Sequence, residues 1–427
     1  MTSRTKPSSL ALVLQNGGKY EESKQLLQQN RAVALRVLGQ AHDVTLILTT
    51  ALGRLYDQLG QYGEAEQLYE LVLRERMEAL GEAHPDSMTV MNLLGGLLWE
   101  QGKLDRAHKT LERVRRLRAD LYGPEHPSTL TTMNNIGLVL NAKEQYQEAE
   151  SVFQKVLETN RRILGDSHPQ TLTSKHNLGL AYYGQERFDD AAAAWKDVAR
   201  DRRALLGSDH PAVLSSLGNL AVAFEHLDKM DEAARLHEEV LELRRQRLGE
   251  KHPKYLDTLA NVASFRMKQG LFEDAARLYQ QASTVGSDVM GSDHWRPWQW
   301  RRAYGDCLVQ LRKFTEAEIE ITESYAQLRT LLGADHRRTH TAVKSAIALY
   351  EAWGKPEKAA EYRALLEEAE KEPQDNNADD TGAEEPDEAG NDDGGANEET
   401  PGGGADLETR SSASPPETST PALATVE

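Results

Sequence analysis

Eight histidines recur through the chain at intervals of 42 residues, each three positions after a glycine. Histidine is the side chain best suited to acid–base catalysis near neutral pH, and it is a common metal ligand. The surrounding string reads LGEAHPDSM at residues 80–88 and LGDSHPQTL at residues 164–172. The histidines are His42, His84, His126, His168, His210, His252, His294 and His336. Their residue type allows catalysis or metal binding, and their spacing must decide between those roles and a structural one.

The constant interval indicates a repeat array. A period in this range, kept without an insertion or a deletion, is typical of a solenoid of small helical units. Within one unit, apolar residues at helical spacing form two runs separated by a short polar break, such as GQER at residues 184–187. Each unit is therefore predicted to be an antiparallel helix pair, in which the first helix follows the histidine and the second helix ends at the next glycine.

The Gly-x-x-His segment, called the hinge segment below, joins a second helix to the next first helix. Gly207 suits the left-handed position that ends a helix, and Pro211 suits a first helical turn. Arginines near the ends of second helices, such as Arg202 and Arg244, are predicted to complement the helix dipole. Equivalent histidines cannot share a zinc ion, because neighbouring helices pack about 10 Å apart whereas zinc–nitrogen bonds are about 2.1 Å long. We interpret the histidines as structural residues.

The sequence offers no recognisable catalytic or cofactor site. It contains no H-E-x-x-H zinc motif, no G-x-S-x-G nucleophile elbow and no G-x-x-x-x-G-K-[ST] phosphate loop. We therefore predict a protein that is not an enzyme and that has neither a cofactor nor a bound metal.

Further columns of residues keep the same interval, and together they resemble the tetratricopeptide repeat. The consensus positions of that family are occupied by Leu178-Gly179, Tyr182, Ala191 and Trp195, and Gly179 marks a close approach of the two helices. The 42-residue form is similar to the repeats of the kinesin light chain family, although neither a heptad coiled coil nor a nucleotide-binding domain accompanies it. The resemblance implies an all-α, right-handed superhelical solenoid whose first helices line a concave groove for an extended peptide.

The composition divides the chain into three predicted segments. Residues 1–7 form a disordered N-terminus, and residues 8–370 form the array, with a first unit at 8–38 followed by eight 42-residue units. Residues 371–427 carry 16 acidic and two basic residues, which accounts for −14 of the net charge of −18. This segment has too few large apolar residues to bury a core, so a disordered acidic tail is predicted. The array is nearly neutral, which disfavours a nucleic-acid partner.

The sequence shows neither a membrane span nor a set of cysteines. No apolar stretch approaches the ~20 residues needed to cross a bilayer, so membrane insertion is not expected. The single cysteine, Cys307, excludes an internal disulfide and fits a reducing compartment. We predict a cytoplasmic protein.

A polar column interrupts the apolar pattern of the first helices. It consists of Asn135, Asn177, Asn219 and Asn261, although asparagine is a mediocre helix former. Two explanations are open. Each amide bonds to a neighbouring helix, or the column is a ladder that bonds the main chain of a bound peptide, which carries both donors and acceptors. The resemblance favours the ladder, since the matching asparagines of the related family line its cargo groove.

Residues near this column by helical phase are predicted to add specificity to the groove. The additional candidates are Asn134, His176, Asn141 and Tyr183. Glu225 and Lys268 are expected near the rim of the groove.

Three tryptophans form a secondary candidate patch. Trp295, Trp298 and Trp300 fall within six residues, where Pro297 delays the start of a first helix. Tryptophan is enriched at binding hot spots. The alternative, which we favour, is that the three rings fill space left by the disrupted helix start.

A repeat array without a catalytic motif predicts a non-catalytic adaptor or scaffold that binds a protein or peptide partner of unknown identity. Two alternatives are open: the repeat region of a signalling-type protein regulated by its own acidic tail, and an accessory protein that assembles an enzyme complex. Weak self-association through the end units is also possible.

Overall fold

The computed structural model describes residues 7–16, 19–291 and 294–371, and every secondary-structure element in these ranges is an α-helix. The predicted all-α solenoid of helix pairs is confirmed. Disorder was predicted for residues 1–7 and 371–427. Pro7 and Lys371 are the end residues of helices, and the rest of both segments lies outside the described residues.

Helices of two lengths alternate along the chain. From α3 to α17 each first helix has 16 residues and each second helix has 19. The helices are α1 (Pro7–Asn16), α2 (Tyr20–Leu38), α3 (Asp43–Gln58), α4 (Tyr62–Leu80), α5 (Pro85–Glu100), α6 (Leu104–Tyr122), α7 (Pro127–Ala142), α8 (Tyr146–Leu164), α9 (Pro169–Gly184), α10 (Phe188–Leu206), α11 (Pro211–His226), α12 (Met230–Leu248), α13 (Pro253–Lys268), α14 (Phe272–Met290), α15 (Trp295–Gln310), α16 (Phe314–Leu332), α17 (Arg337–Ala352) and α18 (Pro356–Lys371). Odd numbers are first helices and even numbers are second helices.

Each second helix from α2 to α16 ends at the glycine of a hinge segment. In Gly207, φ is 92° and ψ is 160°, a backbone region that is essentially restricted to glycine. Its amide still donates to the carbonyl oxygen of Arg203 at 3.1 Å. The predicted positive φ is confirmed, but ψ lies outside the left-handed helical region that the sequence led us to expect.

Each hinge histidine caps the first helix that follows it. His168 Nδ1 accepts a hydrogen bond from the backbone N–H of Gln170 at 3.2 Å. The other seven histidines accept the equivalent bond at 3.1–3.2 Å. Serine, aspartate and asparagine commonly fill this N-cap position, where a side chain satisfies a backbone donor that has no partner in the helix. The structural interpretation of the histidines is therefore confirmed.

The two helices of a unit pack closest at the glycine of the Leu-Gly pair. A Cβ atom on Gly179 would lie 2.5 Å from Trp195 Nε1, which donates to the carbonyl oxygen of His176 at 3.0 Å. In the preceding unit a Cβ on Gly137 would lie 2.4 Å from Phe153. At both positions the aromatic ring of the second helix occupies the space that a side chain would need. This confirms the close approach predicted at Gly179.

A column of buried polar residues ties the second helices α4, α6, α8, α10 and α12 to the first helices that follow them, and the sequence interpretation missed its role. Arg202 is 3% exposed, and its Nη1 donates to the Ala212 carbonyl at 3.0 Å and to Ser216 Oγ at 3.1 Å. Arg244 makes the equivalent bonds to Lys254 and Thr258. Both arginines were expected to serve the helix dipole, but they are internal clamps. The 42-residue spacing could have identified the column, since dipole effects alone require no fixed position.

First helices lie on the inner side of the array. The first helices α7 and α9 contact each other, as do α15 and α17, although a second helix separates each pair in sequence. No two second helices within the described ranges make comparable contact. In a curved array the helices on the inner side are closer together than those on the outer side. The first helices therefore line the concave side.

Metal clusters and membrane spans are both absent from the part of the chain that the structure describes. No three His, Cys, Asp or Glu side chains in that part are placed to hold a metal ion. None of its helices is long and apolar enough to cross a bilayer.

Candidate functional site

Two members of the asparagine column bond to neighbouring first helices. Asn135 Nδ2 donates to Asn92 Oδ1 at 3.4 Å. Asn219 Nδ2 donates to His176 Nε2 at 3.2 Å. These contacts are of the kind that the structural explanation of the column requires.

The column is not uniformly accessible. Asn177 and Asn219 are 3% and 4% exposed, whereas Asn135 and Asn261 are partly exposed. The sequence could not distinguish these pairs, because all four occupy one helical position. A ligand at the surface of the structure as it stands can reach only the partly exposed members directly.

The four neighbouring candidates also divide by burial. His176 is fully buried, and Tyr183 is 7% exposed with its Oη 2.8 Å from His226 Nε2. Asn134 is partly exposed and donates through Nδ2 to Ser174 Oγ at 3.2 Å. Asn141 is partly exposed as well. Asn134, His176 and Tyr183 therefore bond to neighbouring first helices, and only the two asparagines of the four candidates are partly exposed.

Three of the candidate asparagines carry buried carbonyl oxygens that accept no hydrogen bond from the described protein. They are Asn134 Oδ1, Asn141 Oδ1 and Asn177 Oδ1, on the consecutive first helices α7 and α9. A buried polar atom without a partner typically costs about 1–3 kcal/mol. Such atoms are uncommon in native proteins, and their concentration on two adjacent helices calls for an explanation.

Glu225 is buried, which corrects its predicted place at the groove rim. The residue is 9% exposed, and its Oε1 is 2.6 Å from His237 Nε2. Lys268 is exposed, and its Nζ is 3.3 Å from Oε2 of the same carboxylate. A sequence signal existed, because His237 breaks a column that holds Tyr, Leu, Phe and Trp in the four preceding units.

Two of the three tryptophans in the secondary patch pack inside the protein. Trp295 and Trp300 are 6% and 5% exposed, and Trp298 is partly exposed. A Cβ on Gly286 would lie 2.6 Å from Trp300 Cζ3, so that ring fills the space beside α14. The Arg301 guanidinium lies 5.3 Å from the ring centroid of Trp298. This burial favours a structural role for Trp295 and Trp300. The predicted delay of the helix start by Pro297 is wrong, because α15 begins at Trp295, in register with the other first helices.

A surface pocket of about 230 Å³ opens among α8, α9 and α10. Charged side chains on its wall are already paired: Arg161 with Asp166 at 2.9 Å, and Arg200 with Asp201 at 2.8 Å. The pocket is smaller than the ~300 Å³ at which sites for drug-sized ligands begin. It is therefore a poor candidate for a small-molecule site.

Comparison with known families agrees with this architecture. A tetratricopeptide-repeat model matches residues 4–74, 86–158, 128–200, 195–246 and 213–286. A second model of the same repeat matches residues 50–121 and 265–330. The first model alone covers more than half of the chain. No curated protein sequence matches this chain.

Several solved structures are similar to this chain. Nearly identical TPR-like repeats from a Podosopora anserina protein assigned as a kinesin light chain are 27% identical, cover 47% of this chain and 95% of theirs, and superpose with a TM-score of 0.41. BtubC (BKLC) from P. vanneervenii is 23% identical over 52% of this chain and 91% of its own, with a TM-score of 0.43. A Rap protein complexed with Competence and Sporulation Factor is 10% identical over 86% of this chain and 97% of its own, with a TM-score of 0.56. This last likeness extends the fold over most of the chain.

Proposed function

Because the chain belongs to the tetratricopeptide-repeat family, whose arrays are typically protein-interaction scaffolds, we propose that it is a non-catalytic, cytoplasmic adaptor. Its partner would supply an extended segment that lies along the concave side, across the first helices α7 to α13. The side chains of that segment would fill spaces between the first helices, and its main chain would bond to their polar residues.

The observation that carries this proposal is the set of unpaired amide oxygens on α7 and α9. A peptide main chain presents N–H donors at regular intervals, and it can satisfy acceptors that the protein leaves without a bond. Asn134 and Asn141 are partly exposed, which places both residues within reach of a peptide on the surface. In the free protein these acceptors have no hydrogen bond, which is destabilising, and a bound peptide would supply the missing donors.

The eight groove candidates would then have two kinds of role. Asn134, Asn135, Asn141 and Asn261 have exposed surface and would contact the peptide. The buried candidates would position the contacting residues by linking neighbouring first helices. The members of that second set are His176, Asn177, Tyr183 and Asn219.

The solved Rap protein provides support from the fold. That protein was captured in a complex with Competence and Sporulation Factor, which shows that an array of this kind can hold a partner. Only the architecture is shared at this level of identity, so the partner of this chain would be recognised by its own groove residues.

The test begins with the full chain and a random peptide display library, from which binding sequences are selected and synthesised. Affinities are then compared for the wild type, Asn141→Ala and Asn160→Ala. Asn160 is the matched control, because it also has a buried, unpaired Oδ1 but lies on the second helix α8. Loss of one groove hydrogen bond should weaken binding by about 0.5–1.5 kcal/mol, which is roughly 2–10-fold in Kd. Equal affinities for all three proteins would contradict the proposal.

A second candidate function is regulation by the acidic tail. The observation that favours it is the net charge of −14 in residues 371–427. Removing this segment should raise the affinity for a groove peptide, and the increase should shrink at high salt because screening weakens charge–charge attraction. The affinity of residues 1–370 and of the full chain should be measured at two salt concentrations. Identical values would dismiss the regulatory role.

A further inference from the structure

Two segments that are far apart in sequence meet at Trp295. The indole Nε1 of Trp295 donates to Tyr62 Oη at 3.3 Å, across 233 residues. Tyr62 is the first residue of α4, and Trp295 is the first residue of α15. Most other helix contacts join elements that are adjacent or nearly adjacent in sequence. The array must therefore curve back far enough for one of its early turns to contact a late hinge segment.

Glycine makes this approach possible. Gly60 lies in the turn between α3 and α4 with a φ of 67°, and a Cβ on it would lie 2.9 Å from Trp295 Cδ1. Four equivalent turns in other units hold a non-glycine residue at a φ of 57–61°, so this conformation alone does not demand glycine. The four residues are Glu144, Glu186, Asp228 and Arg312. The close approach of Trp295 supplies the reason at Gly60.

The hinge histidine beside Trp295 takes part in the same contact. His294 is 2% exposed, its Nδ1 accepts from the Arg296 N–H at 3.1 Å, and it also bonds to the backbone of Gln58 at the end of α3. The hinge histidine therefore has two bonds, one to its own helix and one to the distant turn.

The chain departs from its own repeat pattern to place this tryptophan. At the same repeat position, five other first helices begin with proline, which is favoured in the first helical turn. They begin at Pro85, Pro127, Pro169, Pro211 and Pro253. In α15 the proline is displaced to Pro297, and Trp295 takes the first position. The Arg338 guanidinium, 3.7 Å from the Trp295 ring centroid, covers the indole further.

We infer that these residues form a latch. The turn at residues 58–62 closes onto His294 and Trp295, which holds the intervening units at a fixed curvature. The contact is small, a few side chains against one turn, whereas each neighbouring helix pair packs along its length. The latch is therefore the weakest point at which the array opens, and its release changes the curvature of the concave side without unfolding a unit. This inference is independent of what the groove binds.

The experiment measures the distance between two spin labels placed on either side of the latch. Exposed positions in α4 and α15 carry the labels through Glu64→Cys and Gln310→Cys. Cys307 stays unlabelled, because it is fully buried and burial raises the pKa of its thiol to about 12. In the full chain we expect one narrow distance distribution.

Gly60→Asn and Gly102→Asn form a matched pair of variants. Both glycines have a positive φ, 67° and 73°, and asparagine is among the residues that best tolerate that conformation. A side chain at Gly60 collides with Trp295, whereas a Cβ on Gly102 meets nothing within 4 Å. We expect Gly60→Asn to shift the distribution to longer distances and broaden it, and Gly102→Asn to leave it unchanged.

A second variant keeps the inference testable if Gly60→Asn fails to fold by circular dichroism. Tyr62→Phe removes only the hydroxyl that accepts from Trp295, and it should broaden the distribution in the same direction. If the label-to-label distance distributions of both Gly60→Asn and Tyr62→Phe coincide with that of the wild type, the latch inference is wrong. A shift of equal size in Gly102→Asn would also overturn it, because the cause would then be turn strain.

Discussion

The side-chain amide of Asn219 donates to the imidazole of His176, 43 positions earlier in the chain. The same separation joins Asn135 to Asn92, and Tyr183 to His226. It is one residue longer than the repeat, so the two positions in each of these pairs are offset by one. These bonds link the first helix α5 to α7 and the first helix α9 to α11.

Asn219→Ala should destabilise the protein more than Asn261→Ala. Asn219 is 4% exposed, and its removal leaves the buried His176 ring without this hydrogen bond, at a cost of about 1–3 kcal/mol. Asn261 occupies the same column but is partly exposed, and a surface change of this kind usually costs less than about 0.5 kcal/mol. Urea denaturation followed by circular dichroism measures both. Equal losses would show that the column acts as one structural set.

Gly179→Ala should be destabilising, and Gly218→Ala should be stabilising. The new Cβ on Gly179 collides with Trp195, and overpacking of a core typically costs about 1–3 kcal/mol. Gly218 also lies within a first helix, but a Cβ there meets nothing within 4 Å. Alanine then gains roughly 0.5–1 kcal/mol through its higher helix propensity. Thermal unfolding midpoints should move in opposite directions, and a fall in both would refute the packing argument.

Arg202→Met and Arg203→Met test the buried clamp against its exposed neighbour. Methionine keeps much of the side-chain length, but at Arg202 it removes the buried hydrogen bonds to the Ala212 carbonyl and Ser216 Oγ, which should cost about 1–3 kcal/mol. Arg203 pairs with Glu239 at the surface, where an ion pair is worth less than about 1 kcal/mol. The difference in unfolding free energy between the two variants measures the clamp. No difference would show that solvent replaces the lost bonds.

Stability should fall as the pH drops below about 6.5, in part because of His336. Burial, together with the charges of Arg338 and Arg337, lowers the pKa of His336 from 6.5 to about 3. A histidine whose folded-state pKa is depressed contributes stability that is fully present above its unfolded pKa and is lost as the pH falls towards the folded pKa. The loss is at most about 1.4 kcal/mol per pH unit.

His336→Asn separates this effect from that of the carboxylates. Asparagine can cap α17 but does not titrate, so the variant should lose less stability than the wild type between pH 6.5 and pH 4. Unfolding free energies measured at several pH values give the two slopes. Parallel slopes would exclude a contribution from His336.

Much of the candidate site was predictable from the sequence, but its accessibility was not. The asparagine column follows directly from the repeat interval. Asn134 and Tyr183, which were predicted to add specificity to the groove, bond to neighbouring first helices. Whether Asn177 is buried while Asn135 is partly exposed depends on how far each unit rotates against the next. The cluster of the buried Glu225 and His237 with the exposed Lys268 was missed for a related reason, since each residue taken alone has the character of a surface residue.

The sequence by itself determined the repeat interval, the helix pairs, the hinge segments and the close approach at Gly179, because these depend on interactions within one unit or between adjacent units. The same local pattern occurs eight times in the sequence, so it predicts these features strongly. Only the tertiary structure decided that His294 and Trp295 meet the turn at residues 58–62. That contact depends on small rotations between units that accumulate over more than 200 residues, and no local sequence pattern specifies their sum.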